Sequence, residues 1–250
     1  MILAMNIGNT NFTLGIKNNN CTDIIKRPSN TFGSRYDFTQ AISILTAGKN
    51  IGGAIISSVN PALTEYLKDA IEELFTFSPV IVNPSMNMSL DLSAYDVNLL
   101  GSDRIAVCEA VIYKYGSPAI VFDFGTATTI NVINEHGQFL GGSILPGFTM
   151  GLNALADNTA QLFKINASLQ PSLIGQNTEE CLISGAVFGN AAMLDGMIQC
   201  IEAFLNQKTT VLVTGGSANS ILPVCTAKVI HKPELLMDGL FILYDQNIDK

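Results

Sequence analysis

A chain of 250 residues, 48% apolar and only 14% charged, has material for one large core or for two of about 125 residues each. Thirteen Lys and Arg against twenty-one Asp and Glu give a net charge of −8 and leave no basic stripe for a phosphate backbone, which excludes nucleic acid as a partner. Five widely spaced cysteines (Cys21, Cys108, Cys181, Cys200, Cys225) with no Cys-x-x-Cys pair, no positively charged leader and no apolar run of the ~20 residues that a membrane helix needs lead to the expectation of a cytoplasmic protein with reduced thiols and no membrane partner.

The opening "MILAMNIGNTNFTLGI" reads as a buried strand, a polar turn around Gly8 and a second strand. "KNNN" at 17–20 is a second turn signal, followed by a third strand in "CTDIIKR". Helical spacing in "YDFTQAISILTA", a buried strand in "GAIISSV", a helix opened by Pro61 in "PALTEYLKDAIEELF" and a short strand in "PVIVN" complete an order βββαβαβ.

The second half repeats that order. "AIVFDFG", "ATTINVINEHG" and "QFLGGSIL" supply three strands, a helix follows Pro146-Gly147, and "TEECLISGAVFGNAAMLDGMIQCIEAFL" is a long helix. "TVLVTGGSANSIL" mirrors "GAIISSVNPALTEYL", and "AKVIHKPEL" mirrors "SPVIVNPSM". Asn6 and Asp123 stand at equivalent places, 117 positions apart (123 − 6 = 117), which signals duplication of one unit. The expectation is an α/β protein of two halves, 1–116 and 117–250, each a mixed sheet with helices, with both Gly turns at an interdomain cleft.

Four places carry chemistry. The Gly8 and Gly125 turns are either ordinary hairpin turns or a phosphate clamp in which backbone N–H groups approach the oxygens, with Thr10, Thr126 and Thr128 adding hydroxyls. Asp123, at the end of an apolar strand, needs compensation, either from N–H groups of its own turn or from a metal. Asp103 and Arg104 begin a helix, where Asp103 is either a cap or a general base beside a cationic substrate anchor. "TGGSAN" offers Gly215 and Gly216 as a flat seat for adenine at a helix N-terminus, whereas His136 and His231 lie in turn-like surroundings and read as surface residues.

Taken together, Asn6-Ile7-Gly8-Asn9-Thr10, Gly101-Ser102-Asp103-Arg104, Asp123-Phe124-Gly125-Thr126-Ala127-Thr128, the run Gly141 to Gly147 and Thr214-Gly215-Gly216 resemble type III pantothenate kinase, over essentially the whole chain. The resemblance implies a duplicated ribonuclease H-like fold, that of the actin-like ATPases, and a homodimer that transfers the ATP γ-phosphoryl group to pantothenate, the first step toward coenzyme A. It implies Asp103 as the base, and Tyr95, Gly101, Arg104 and Thr178 near pantothenate, Thr178 reaching across the dimer. Asn6, Gly8, Asn9, Thr10, Thr126, Gly215 and Gly216 would contact ATP. Asp123 would belong to a monovalent-cation site, for potassium or ammonium, with magnesium also required.

Two departures stand out. Asn6 occupies the place of an Asp in the family pattern Asp-x-Gly-Asn-Thr, keeping an oxygen acceptor but losing the charge that helps hold magnesium. The loop "YDVNLLGSDR" lacks the family's Pro and is one residue short. These leave a second reading, a divergent or impaired relative that binds nucleotide or phosphorylates another small alcohol. An Hsp70- or actin-like conformational module is a third, for which 250 residues leave little room.

Overall fold

The computed structural model describes residues 1–18, 21–165 and 172–248. Asn19 and Asn20 of the second expected turn lie outside them. The chain divides into two compact units, Met1–Tyr115 with Glu234–Lys250, and Gly116–Pro233.

In the first unit, Ile2–Ile7 (β1), Asn11–Asn18 (β2) and Cys21–Pro28 (β3) form an antiparallel meander. Gly53–Ser58 (β4) and Val80–Ile81 (β5) continue the sheet in parallel, giving the order β3-β2-β1-β4-β5. Arg35–Thr46 (α1) begins with a capping box in which Ser34 N donates to Asp37 Oδ2 at 2.9 Å. Pro61–Leu74 (α2) begins at Asn60, whose Oδ1 accepts from Leu63 N, with Pro61 in the first turn. Ser102–Tyr115 (α3) follows the sheet.

The last helix, Leu235–Asn247 (α7), belongs to this first unit although 117–250 was the expected second half. Leu3, Met5 and Ile7 join the core that includes α1 and α2, while Ala4 and Ile55 meet Ile105 and Ala106 of α3 and Met237 and Leu240 of α7. Both faces of the sheet are thus covered, and β1 is buried almost throughout instead of alternating. A Cβ on Gly239 would strike the Ala106 carbonyl, so α3 and α7 cross at backbone contact. The fully buried Glu109 of α3 accepts from Ser89 N at 3.0 Å, Leu90 N at 2.9 Å and Gln246 Nε2 at 2.8 Å, tying the segment before α3 to α7.

The second unit repeats the plan with Ala119–Phe124 (β6), Ala127–Ile133 (β7), Phe139–Pro146 (β8), Thr210–Thr214 (β9) and Ile230–His231 (β10), ordered β10-β9-β6-β7-β8. Phe148–Asn158 (α4) and Thr178–Leu205 (α5) stand where the first unit has α1 alone. By length and composition α5 is apolar enough to cross a membrane, unlike anything expected from the sequence, yet its Ile183, Val187, Ala191, Leu194 and Ile198 line the core of this unit. The helix expected after Gly216 is only Ala218–Ile221 (α6), running into a 3-10 turn that contains Pro223. His136 is exposed, as read, but His231 is a half-buried strand residue paired with Val213.

Candidate active site

In the first unit the turn after β1 is held from behind. Gly8 N donates to Asn11 O at 3.0 Å, the Ser29 hydroxyl donates to Gly8 O at 2.8 Å, and Ser29 N donates to Thr10 O at 2.8 Å. Asn9 and Thr10 remain exposed at its tip. A Cβ at Gly8 would lie 3.3 Å from the Asn11 carbonyl, a tight fit.

Asn6 and Ser57 are register partners near the C-terminal ends of parallel β1 and β4, where α/β sheets commonly bind ligands. The Ser57 hydroxyl donates to Asn6 Oδ1 at 2.9 Å and lies 2.9 Å from the Ser102 hydroxyl, which accepts from Ser58 N at 2.9 Å. This chain bolts the first turn of α3 to the sheet. Nothing in the spacing of Ser57, Ser102 or Ser29 announced it.

At that first turn Gly101 O accepts from Arg104 N and Ile105 N, and Asp103 Oδ1 accepts from Arg104 N at 2.8 Å. A Cβ at Gly101 would sit 2.5 Å from Asp103 Oδ1, so glycine is what admits the carboxylate there. The capping reading of Asp103 is therefore met by one oxygen, and a carboxylate has a second with which to accept a proton. Arg104 is 9% exposed, its guanidinium 5.9 Å from the centre of the half-buried Tyr95 ring. Tyr95, Gly101, Asp103 and Arg104 are thus one local group. Cys108, one turn along, is no nucleophile, because burial pushes its thiol up to about 12.

In the second unit Asp123 stands half-buried near the end of β6, in register with Thr214 of β9. Gly215 adopts φ +95°, and a Cβ there would lie 2.6 Å from Asp123 Oδ1 and 2.5 Å from Phe124 N. The missing side chain makes the cradle for the carboxylate. Gly216 has open space above it among the described residues. A Cβ on Gly147 would meet the carbonyls of Gly125 and Thr126, so the start of α4 is pressed onto the second turn, where Thr126 is exposed. Thr128, expected as a phosphate hydroxyl, is fully buried, and its Oγ1 has no partner among the described residues. Thr178 opens α5 and lines a cavity of about 350 Å³ with Gly147, Phe148, Leu155, Cys181 and Leu182, in the second unit, whereas Tyr95, Gly101 and Arg104 are in the first.

The family model for type III pantothenate kinase matches residues 2–200. The chain belongs to the type III pantothenate kinase family. Type III pantothenate kinase from Moorella thermoacetica is 33% identical over 99% of this chain and all of its own, and that of Geobacillus sp. 34% over 100% and 99%. Among solved structures, a glucokinase from an Antarctic psychrotroph superposes with a TM-score of 0.54 at 14% identity, over 98% of each chain. The (R)-2-hydroxyglutaryl-CoA dehydratase component A of Acidaminococcus fermentans gives 0.52 at 12%, over 97% of this chain and 96% of its own. At such identities these two speak for the fold alone, and it is the duplicated ribonuclease H-like fold of the actin-like ATPases. Within this pantothenate kinase family member, the described residues contain no group of three or more His, Cys, Asp or Glu able to hold a metal. A cage built by protein alone does not fit. Magnesium carried on ATP phosphates requires only one or two carboxylates, and the Asp123 carboxylate in its Gly215 cradle fits that need.

Proposed function

We propose that this protein phosphorylates the primary hydroxyl of pantothenate with ATP, forming 4′-phosphopantothenate and ADP as the first step of coenzyme A biosynthesis. The observation that carries the reading is the Asp103 carboxylate on an α3 turn bolted to the sheet, beside a buried guanidinium, in a chain that matches this family from residue 2 to 200. Asp103 accepts the hydroxyl proton as that oxygen bonds to the γ-phosphorus and the bond to the β–γ bridging oxygen breaks. Arg104 and Tyr95 anchor pantothenate, with Gly101 keeping the approach open and Thr178 adding a contact from a second copy of the chain.

Gly8, Asn9, Thr10 and Thr126 hold phosphate through backbone and hydroxyl donors, and Gly215 and Gly216 seat the adenine. Magnesium and a potassium or ammonium ion, both assigned to Asp123, neutralise the charge of the phosphates when bound. The homodimer is supported by apolar side chains left exposed on the second unit, among them Met150, Leu155, Phe163 and Phe204. A cytoplasmic location follows from its substrate ATP and agrees with four free thiols among the described residues.

The test is steady-state ADP formation with ATP, magnesium and potassium, with and without pantothenate, and mass spectrometry of the product. Pantothenate-dependent ADP and a phosphorylated product are expected. Turnover with another small alcohol but not with pantothenate would replace this reading by that of a divergent relative, which the loop before Gly101, with its 98% exposed Leu99, favours.

A further inference from the structure

We infer that Asn6 is a direct hydrogen-bond donor to a nucleotide phosphate, held in that orientation by Ser57 and Ser102, and is not a weakened metal ligand. The inference rests on the kinase reading of the Gly8 turn as a phosphate site. An asparagine amide has one acceptor end and one donor end, and the hydrogen bonds around it decide which faces a ligand.

The structure turns the oxygen of the Asn6 amide inward, onto Ser57. Ser58 N–H donates to Ser102 Oγ at 2.9 Å, and Ser57 Oγ–H, lying in a fully buried residue, has Asn6 Oδ1 as its acceptor at 2.9 Å. The Ser102 hydroxyl lies 2.9 Å from Ser57 Oγ and donates to the Ser58 carbonyl at 3.1 Å, so the two serines are tied to each other and to the end of β4. Oδ1 thus faces the sheet end, with the Ser57 hydroxyl as its donor.

Nδ2 is on the other side. It lies 3.6 Å from the place a Gly8 Cβ would take, on the flank of the phosphate turn, and among the described residues it meets no acceptor. An N–H donor there suits an anionic phosphate oxygen and repels a cation. The register partner pair in the second unit, Asp123 and Thr214, keeps a carboxylate at the equivalent place, so the two halves of the duplication have divided the work between phosphate and cation. Ser57 and Ser102 are positioning residues, and the same chain links the phosphate turn to the α3 turn that carries Asp103.

Binding of ADP by calorimetry, once in excess EDTA and once with magnesium, tests this on the full chain. The natural protein is expected to bind metal-free ADP, and Asn6→Asp to bind it about tenfold more weakly, because a carboxylate replaces the donor, while keeping or gaining affinity with magnesium. Ser57→Ala is expected to lose about fivefold in EDTA only, and Ser57→Thr, which keeps the hydroxyl as Thr214 does, to recover it. Equal metal-free affinity in the natural protein and Asn6→Asp, with magnesium-dependent binding intact, would overturn this inference alone. No ADP binding in either condition would overturn the nucleotide reading with it.

Discussion

In the proposed reaction Asp103 meets two demands, since one oxygen accepts from the Arg104 N–H at 2.8 Å and the other takes the proton of the acceptor alcohol. Asp103→Ala is expected to lower turnover about a thousandfold with little change in melting temperature, measured by ADP release and thermal unfolding. An equally active variant would remove it from the proposed chemistry. Gly215→Ala forces a side chain into a left-handed backbone position and against Asp123, at about 1 to 3 kcal/mol, and should abolish adenine-nucleotide binding, as calorimetry would show. Such residues were legible in the sequence because glycines beside a carboxylate leave a pattern. Ser29, Ser57 and Ser102 were not, because each meets its partner only once segments 21, 51 and 45 residues apart are brought together by the fold. Thr128 was misread for a related reason: strand alternation turned its hydroxyl into the core.

At the scale of elements, periodicity and caps located β1 to β4, α1, α2 and α5 closely, since each has either a buried face or a capping residue written in its own segment. α7 went unread. Its apolar residues run almost all round, so no face stood out, and its partner α3 is far away in the chain. Gly239→Ala should drive the two helices apart and cost about 1 to 3 kcal/mol, lowering the thermal midpoint by several degrees. In the second unit Asp195 of α5 holds the loop before β10. Burial raises its carboxyl, but the Thr226 hydroxyl and the Thr226 and Ala227 N–H groups outweigh that and hold it below the ordinary range. A carboxyl so depressed stabilises above its unfolded value near 3.8 and loses that contribution as pH falls through the lower folded value. Asp195→Asn should therefore be less stable than the natural protein at neutral pH, with the gap closing in acid unfolding curves below about pH 4.

For the molecule as a whole, the duplication was visible because Asn6 and Asp123 fall at matching points of matching strands, whereas the assignment of the last helix was not, since sequence adjacency suggested the wrong unit. Removing the residues after Pro233 should leave Ala4, Ile55 and Ala106 uncovered and give a first unit that binds hydrophobic dyes and lacks a cooperative melt, even though every strand of its sheet remains. The connectivity also sets a schedule for synthesis. Residues 116–233 emerge from the ribosome as an uninterrupted unit able to close by itself, while the earlier 1–115 must wait for the final helix to be made. A nascent chain of this protein is expected to complete its later-made unit first, and until residues 234–248 emerge its amino-terminal sheet is a half-covered surface that a chaperone can hold.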